Sequence, residues 1–431
     1  MALHGRQSQV IRYRNQSSRW RQSHLIEEYH VKRSSPKSRR QNLPALLRLS
    51  GCAAVLSLVV GASGCTSGSS SSSTDHAADG PQSAQVKTAC ERAAAGTAEV
   101  QFKAPGGPVD GTALKGKSIY IIPIINTGTV SEYTKQMEEA AGLLGASVVT
   151  IDAKGSIPNA VSAFNQAIAR GADVIVNVAV QPELVKAQML NAQSQGIKVI
   201  DVMNGQPDSE KPEGVDGRVS WDTMKAGKWR MDQAICDTNG TLKAGFISSD
   251  DLPMTKFLRA GMQAEYDELC TDDCSLVTTN VSSSNWATGL AQATTSLVQK
   301  NPDLNYLLPA WGGMVVQILP TMTRIDPGNK IQLSSNDLEP ALLKPLAAGD
   351  NKADVGTSVG ALAWPTLDQA LRLVSGQKAV IEEGPARMVT SEMAESMGLS
   401  SDKSTLDNQT LIFGDLVTGD GYKALWGLTD S

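Results

Sequence analysis

"GADVIVNVAVQPELVKAQMLNAQSQGIKVIDVM" (Gly171–Met203) holds two apolar runs of strand length with a helical period between them. "DVIVNVAV" (173–180) is a near-continuous apolar run, the pattern of a parallel strand covered on both faces. Val185, Met189 and Ala192 then recur on one helix face, and "KVIDVM" (198–203) starts a second strand. A strand, a helix and a strand in this order predict a parallel pair joined by a crossover helix.

The same alternation extends in both directions. Upstream lie "SIYIIPII" (118–125), a helix marked by Tyr133, Met137, Ala140, Ala141 and Leu144, "SVVTID" (147–152), and a helix through Val161, Phe164 and Ile168. Downstream the pattern pauses and restarts with "AGFISS" (244–249) and a helix carrying Met254, Leu258 and Met262. "SLVTTNV" (275–281), "NYLLPAW" (305–311), "KIQLSS" (330–335) and "VGTSVG" (355–360) follow, each separated by a helical segment. A final extended region ends the chain. Two such sets predict two α/β lobes, each with a doubly wound parallel sheet. The architecture repeats and the sequence does not.

The first 64 residues read as an export segment. They carry 11 Lys/Arg against two acids, Glu27 and Glu28, ahead of a short apolar run from Ala53 to Val60. That run is below the roughly 20 residues of a membrane span and fits the roughly 7–15 of a secretory signal. "ASGC" (Ala62–Cys65) resembles a bacterial lipobox, with Ala62 where leucine is usual, and predicts lipidation of Cys65. "SRRQNL" (38–43) is weakly similar to a twin-arginine signal; a start codon further downstream accounts for the long basic region equally well. "TSGSSSSSTDHAADG" (66–80) reads as a flexible polar tether.

Composition narrows the function. Removing residues 1–64 leaves 28 Lys/Arg against 42 Asp/Glu, a net charge of −14, which argues against nucleic acid as a partner. All four histidines (His4, His24, His30, His76) precede the folded body. A Ser-His-Asp triad, a Cys-His pair or a His-ligated zinc therefore has no histidine to use there. No glycine loop for phosphate is present, and the acid pairs Asp250–Asp251 and Asp272–Asp273 lie in polar, loop-like stretches. The expectation is a protein that is not an enzyme and uses neither cofactor nor metal. Cys90, Cys236, Cys270 and Cys274 are an even set in an exported chain, which suggests two disulfides. "CTDDC" closes most simply on itself, leaving Cys90 with Cys236; four free thiols are the alternative.

The opening stretch, together with "QKNPDLNYLLPAWGGM" (Gln299–Met314), resembles type I periplasmic substrate-binding proteins of the ribose-binding group, from about Ser118 to Gly376. The resemblance implies two lobes joined by a three-strand hinge that close on a small solute, with crossings near Val219, Thr357 and Gly384. It divides the chain into a signal peptide (1–64), a lipid-anchored tether and N-terminal extension (65–114), a first lobe (115–219 plus 358–384) and a second (220–357 plus 385–431). It also implies a monomer held by lipid to the outer face of the cell membrane, serving an ABC permease and its ATPase.

Carried over position by position, the resemblance assigns the solute to Asn126, Thr127 and Thr129 after the first strand and to Asn204 after the fourth. In the second lobe it assigns Lys256 (with Arg259 nearby), Trp286, Trp311, Asn336 and Thr357. The first lobe lacks the family's aromatic pair, and Met203 and Asn204 stand where an Asp-Arg pair would grip a sugar. A sugar is the first expectation. A nucleoside or other planar or cationic solute, or a sensing role for a membrane signalling protein, is the alternative. Trp221, Trp229 and Trp364 are expected in the packing.

Overall fold

The computed structural model describes residues 83–126 and 128–428. The signal segment, Cys65, the serine tract and Thr127 lie outside the described residues.

The strands are β1 (Ser118–Pro123), β2 (Ser147–Thr150), β3 (Val174–Val178), β4 (Lys198–Val202), β5 (Gly217–Ser220), β6 (Lys243–Ser248), β7 (Ser275–Asn280), β8 (Tyr306–Pro309), β9 (Gln332–Asn336), β10 (Ala353–Thr357), β11 (Glu382–Glu383) and β12 (Ala386–Thr390). The helices used below are α1 (Ala84–Gly96), α2 (Gly128–Leu143), α3 (Ile157–Ala169), α4 (Pro182–Ser194), α5 (Thr223–Asp237), α6 (Thr255–Leu269), α7 (Trp286–Lys300), α8 (Gly312–Ile325), α9 (Leu343–Ala347), α10 (Ala363–Val374), α11 (Ser391–Ser396), α12 (Thr405–Phe413), α13 (Asp415–Thr418) and α14 (Asp420–Leu425).

Two six-stranded sheets result, ordered β11-β5-β4-β3-β1-β2 and β12-β10-β9-β8-β6-β7. The first is parallel throughout. The second is parallel except for β12, which runs antiparallel to β10. All five residues of β3 are buried, because helices cover both faces of a parallel sheet. The fold is thus two α/β lobes. The chain passes between them after β5, after β10 and between β11 and β12, with Gly384 N–H donating to Ser220 C=O at 2.8 Å where two crossings touch.

Both chain ends add to this plan. Val86, Ala89 and Ala93 of α1 bury into the core of the second lobe, and Cys90 is bonded to Cys236 of α5. Cys270 is bonded to Cys274 at the end of α6. Helices α5 and α6 cross closely at Gly227 and Gly261; a Cβ on either would lie 2.1 or 2.0 Å from a carbonyl oxygen of the other helix. Residues 97–111 then cross to the first lobe as a strap. Arg387 donates to Thr97 C=O at one end, Arg372 to Gly107 C=O and Val109 N–H to Leu425 C=O at the other.

At the other end, β12, α11 and α12 belong to the second lobe, but α14 does not. Tyr422 and Trp426 bury in the core of the first lobe beside Trp364, with Trp426 Nε1 donating to Asp368 and Tyr422 Oη to Glu382. The expectation that all of 385–431 belongs to the second lobe is corrected there: two large aromatic side chains find their burial on the opposite lobe. The extension before residue 115 holds the helix α1 around Cys90, packed on the second lobe, and then the linker.

Candidate ligand-binding site

In open parallel sheets, loops and helix N-termini converge at the carboxyl ends of the strands, and ligands bind there. The backbone is strained at these ends. Lys154, Ala179, Met203, Asp337 and Leu338 have positive φ; they follow β2, β3, β4 and β9. Non-glycine residues held in this region cluster at binding and catalytic sites. The two edges meet: Gln181, after β3, donates from Nε2 to Asp251 C=O, after β6, at 3.3 Å.

The described residues assigned from sequence all lie at these strand ends or in the first turn of the following helix. In the first lobe, Asn126 is half-buried; its N–H donates to Asp152 and its Oδ1 accepts from Thr134 Oγ1. Thr129 is in the first turn of α2. Asn204 is buried, donating to Asp201 Oδ1 at 2.7 Å, while its Oδ1 has no hydrogen-bond partner.

In the second lobe the two tryptophans converge on Ser249, the residue after β6. Trp286 Nε1 donates to Ser249 Oγ at 3.1 Å. Trp311 Nε1 donates to Thr255 Oγ1 at 3.1 Å, and that hydroxyl donates to Ser249 C=O at 2.8 Å. Trp311 is 7% exposed and joins the lobe core, whereas Trp286 is half-buried. Asn336 and Thr357 are buried at the ends of β9 and β10, with Asn336 Oδ1 and Thr357 Oγ1 unpartnered. Lys256 is exposed, its Nζ 4.8 Å from the Phe257 ring centroid, and Arg259 is paired with Asp250. Trp221 and Trp364 are packed in the first-lobe core, and Trp229 packs against the second.

Several residues of these edges escaped the sequence reading. Ser249 is one, and its only signal was its place at the end of "AGFISS". Asp251 is another: it receives Ser283 N–H and Oγ and Ser249 Oγ. Burial raises the Asp251 carboxyl, but these donors outweigh it and hold it below the usual range. Asp337 directly follows Asn336, the last residue of β9. Burial first, then the neighbouring Glu339 and Asp354, hold it well above the usual carboxylate range, against the 2.7 Å bond from Asn336 Nδ2. Trp221 Nε1, just after β5, is also buried and unpartnered.

The pair Asp201–Arg218 explains where the first lobe keeps its charge. The two residues are in register on adjacent strands β4 and β5, both buried, with Arg218 Nε 3.3 Å from Asp201. The guanidinium is spent on Asp201, Ser209 and the Glu210 carbonyl.

The profile of a periplasmic binding protein domain matches residues 119–378. No curated protein matches the sequence. Among solved structures, the 5-methylthioribose transporter solute-binding protein from Thermotoga lettingae, bound to 5-methylthioribose, superposes with a TM-score of 0.62 at 15% identity. The match covers 75% of this chain and 100% of that one. An ABC transporter solute-binding protein from Mycobacterium smegmatis with bound glycerol gives 0.59 at 19% identity, covering 67% and 98%. The Caulobacter myo-inositol binding protein gives 0.57 at 19%, covering 65% and 95%. At these identities the likeness is one of fold. These neighbours are solute-binding proteins and not enzymes.

Proposed function

The chain belongs to the periplasmic binding protein family, and from that membership we propose that it captures a small sugar-like solute between its lobes and delivers it to an ABC permease. The supporting observation is the set of buried, unpartnered polar atoms at the strand ends. Asn204 Oδ1 and Trp221 Nε1 are on the first lobe, Asn336 Oδ1 and Thr357 Oγ1 on the second. Buried polar groups without partners are costly, and hydroxyls of an uncharged solute would satisfy both donors and acceptors. Contacts made to both lobes at once would favour closure. Asn126, Thr129 and the half-buried face of Trp286 would complete the pocket, with Trp311 behind it and Lys256 at its rim. Thr127 is assigned by sequence position.

Delivery would occur at the outer face of the cell membrane, with a lipid on Cys65 as the anchor. Among the described residues no helix is long and apolar enough to cross a membrane. Thermal-shift screening of the chain from Ala77 onward against sugars, polyols and nucleosides tests the reading, because a solute that binds only the folded state raises Tm. A shift by a sugar or polyol, lost in Trp311→Ala, is expected. A shift only with nucleosides would move the assignment to a planar solute, and a shift only with amino acids or metals would remove the sugar reading.

A further inference from the structure

Arg230, on α5, has the largest of the fully buried side chains. Its guanidinium makes no ion pair among the described residues. Instead Nη2 donates to Pro309 C=O and to Ser334 C=O, both at 2.7 Å. Nε donates to Ser334 Oγ at 3.2 Å and Nη1 to Ala310 C=O at 3.4 Å. Burial pushes its pKa down to about 10, with Asp354 then drawing it back up; it stays charged at neutral pH.

The register of the sheet explains this placement. β8 pairs with β9 only at Tyr306↔Gln332 and Leu307↔Leu333. On their other sides the same strands stay paired further, β8 with β6 to Pro309 and β9 with β10 to Asn336. The β8–β9 ladder therefore ends early. The carbonyls of Pro309 and Ser334, just past the last pair, turn to the guanidinium. A planar fork of five N–H donors suits that gap, and a lysine ammonium on a flexible stem does not reproduce it.

Trp311 follows this clasp directly, and Asn336 lies two residues beyond Ser334. We propose that Arg230 is the positioning residue of the second-lobe half of the site, setting the backbone from which Asn336 reaches the solute and Trp311 backs the pocket. This rests on the binding reading above for its consequence, and on the clasp alone for its geometry. A buried polar contact left unmade by misplacement weakens binding about tenfold to a hundredfold, so a substitution that keeps the charge and loses the fork acts on binding.

The test uses Arg230→Lys in the full chain, with Ser334→Ala as the milder variant should the first not fold. Indole 15N–1H resonances are recorded without solute, Trp311 being assigned by Trp311→Phe. Affinities are then measured separately for myo-inositol, D-allose and 5-methylthioribose. The expected result is a displaced Trp311 resonance with Trp364 and Trp426 of the first lobe unmoved. For any probe that binds the unaltered protein, Kd should rise about tenfold to a hundredfold. An unmoved Trp311 resonance, a displacement of all three indoles together, or an unchanged Kd overturns the proposal. If none of the probes binds the unaltered protein, the sugar reading is what fails, and the resonances still decide the role of Arg230.

Discussion

In the second lobe, Cys90–Cys236 joins the middle of α1 to the end of α5, and Cys270–Cys274 closes the turn after α6. In the first, the corresponding fixed points are buried ion pairs, Asp201–Arg218 beneath the strand ends and Asp368–Arg372 along α10. A disulfide stabilises chiefly by restricting the unfolded chain. A buried ion pair offsets its own desolvation only while both partners are present. One lobe is thus secured against unfolding as a whole, and the other depends on particular groups keeping their partners.

Removing the long crosslink should separate the lobes most. Cys90 and Cys236 are 146 residues apart, and a loop of that size is worth about 5 kcal/mol of chain entropy. A Cys90→Ser, Cys236→Ser double variant should lose about that much in guanidinium unfolding; an unchanged midpoint would show that α1 is held by packing alone. Breaking the ion pair of the first lobe comes next. Arg218→Ala leaves Asp201 buried and uncompensated, and should cost about 4 kcal/mol in the same measurement. If Arg218→Met together with Asp201→Leu recovers most of the loss, the pair serves order more than stability.

The short crosslink is the smaller counterpart. Cys270 and Cys274 are four residues apart, so a double serine variant should lose only about 2 kcal/mol. The remaining effect is one of pH, read as a slope and not as a single loss. Asp232 of α5 is pushed up to about 8, first by burial and then by Glu265, with Arg92 and Lys228 pulling the other way. The stabilisation it gives is complete below its ordinary value of 3.8 and is lost as pH rises through about 8. Unfolding free energy should therefore fall with pH across that window, by at most about 1.4 kcal/mol per unit from this group. Asp232→Asn should flatten the slope in urea titrations at pH 5 and 7; an unaltered slope would assign it elsewhere.

These contrasts bear on what the sequence could reveal. Element order was legible because parallel strands covered on both faces write continuous apolar runs, such as "DVIVNVAV". β5, "GRVS" (217–220), was not among the runs read: it is four residues long, and its Arg218 is buried only because Asp201 lies opposite. The antiparallel β12 carries Arg387, which is bound to Thr97 and Ile412 carbonyls, partners remote in sequence. Trp286 and Trp311 were legible as candidates because they fall at positions that the resemblance assigns to the solute. Their common anchor at Ser249 was not, because a serine at a strand end carries no periodic signal. Arg230 resembled an ordinary helix charge, and only the early end of the β8–β9 ladder reveals its use.

The strap over residues 97–111 bears on how the lobes can move. Residues 100–105 of it border the same groove as Lys225 and residues 381–386 of the hinge, so it runs beside the crossings and not across the mouth of the cleft. A link set close to a rotation axis changes length little as the angle changes, yet it lengthens at once if one body slides or twists against the other. With α1 held covalently at one end and Gly107 held by Arg372 at the other, such a link opposes sliding and twisting of the lobes more than bending about the crossings. For the closure proposed above, bending that opens and shuts the cleft would then be the motion least opposed.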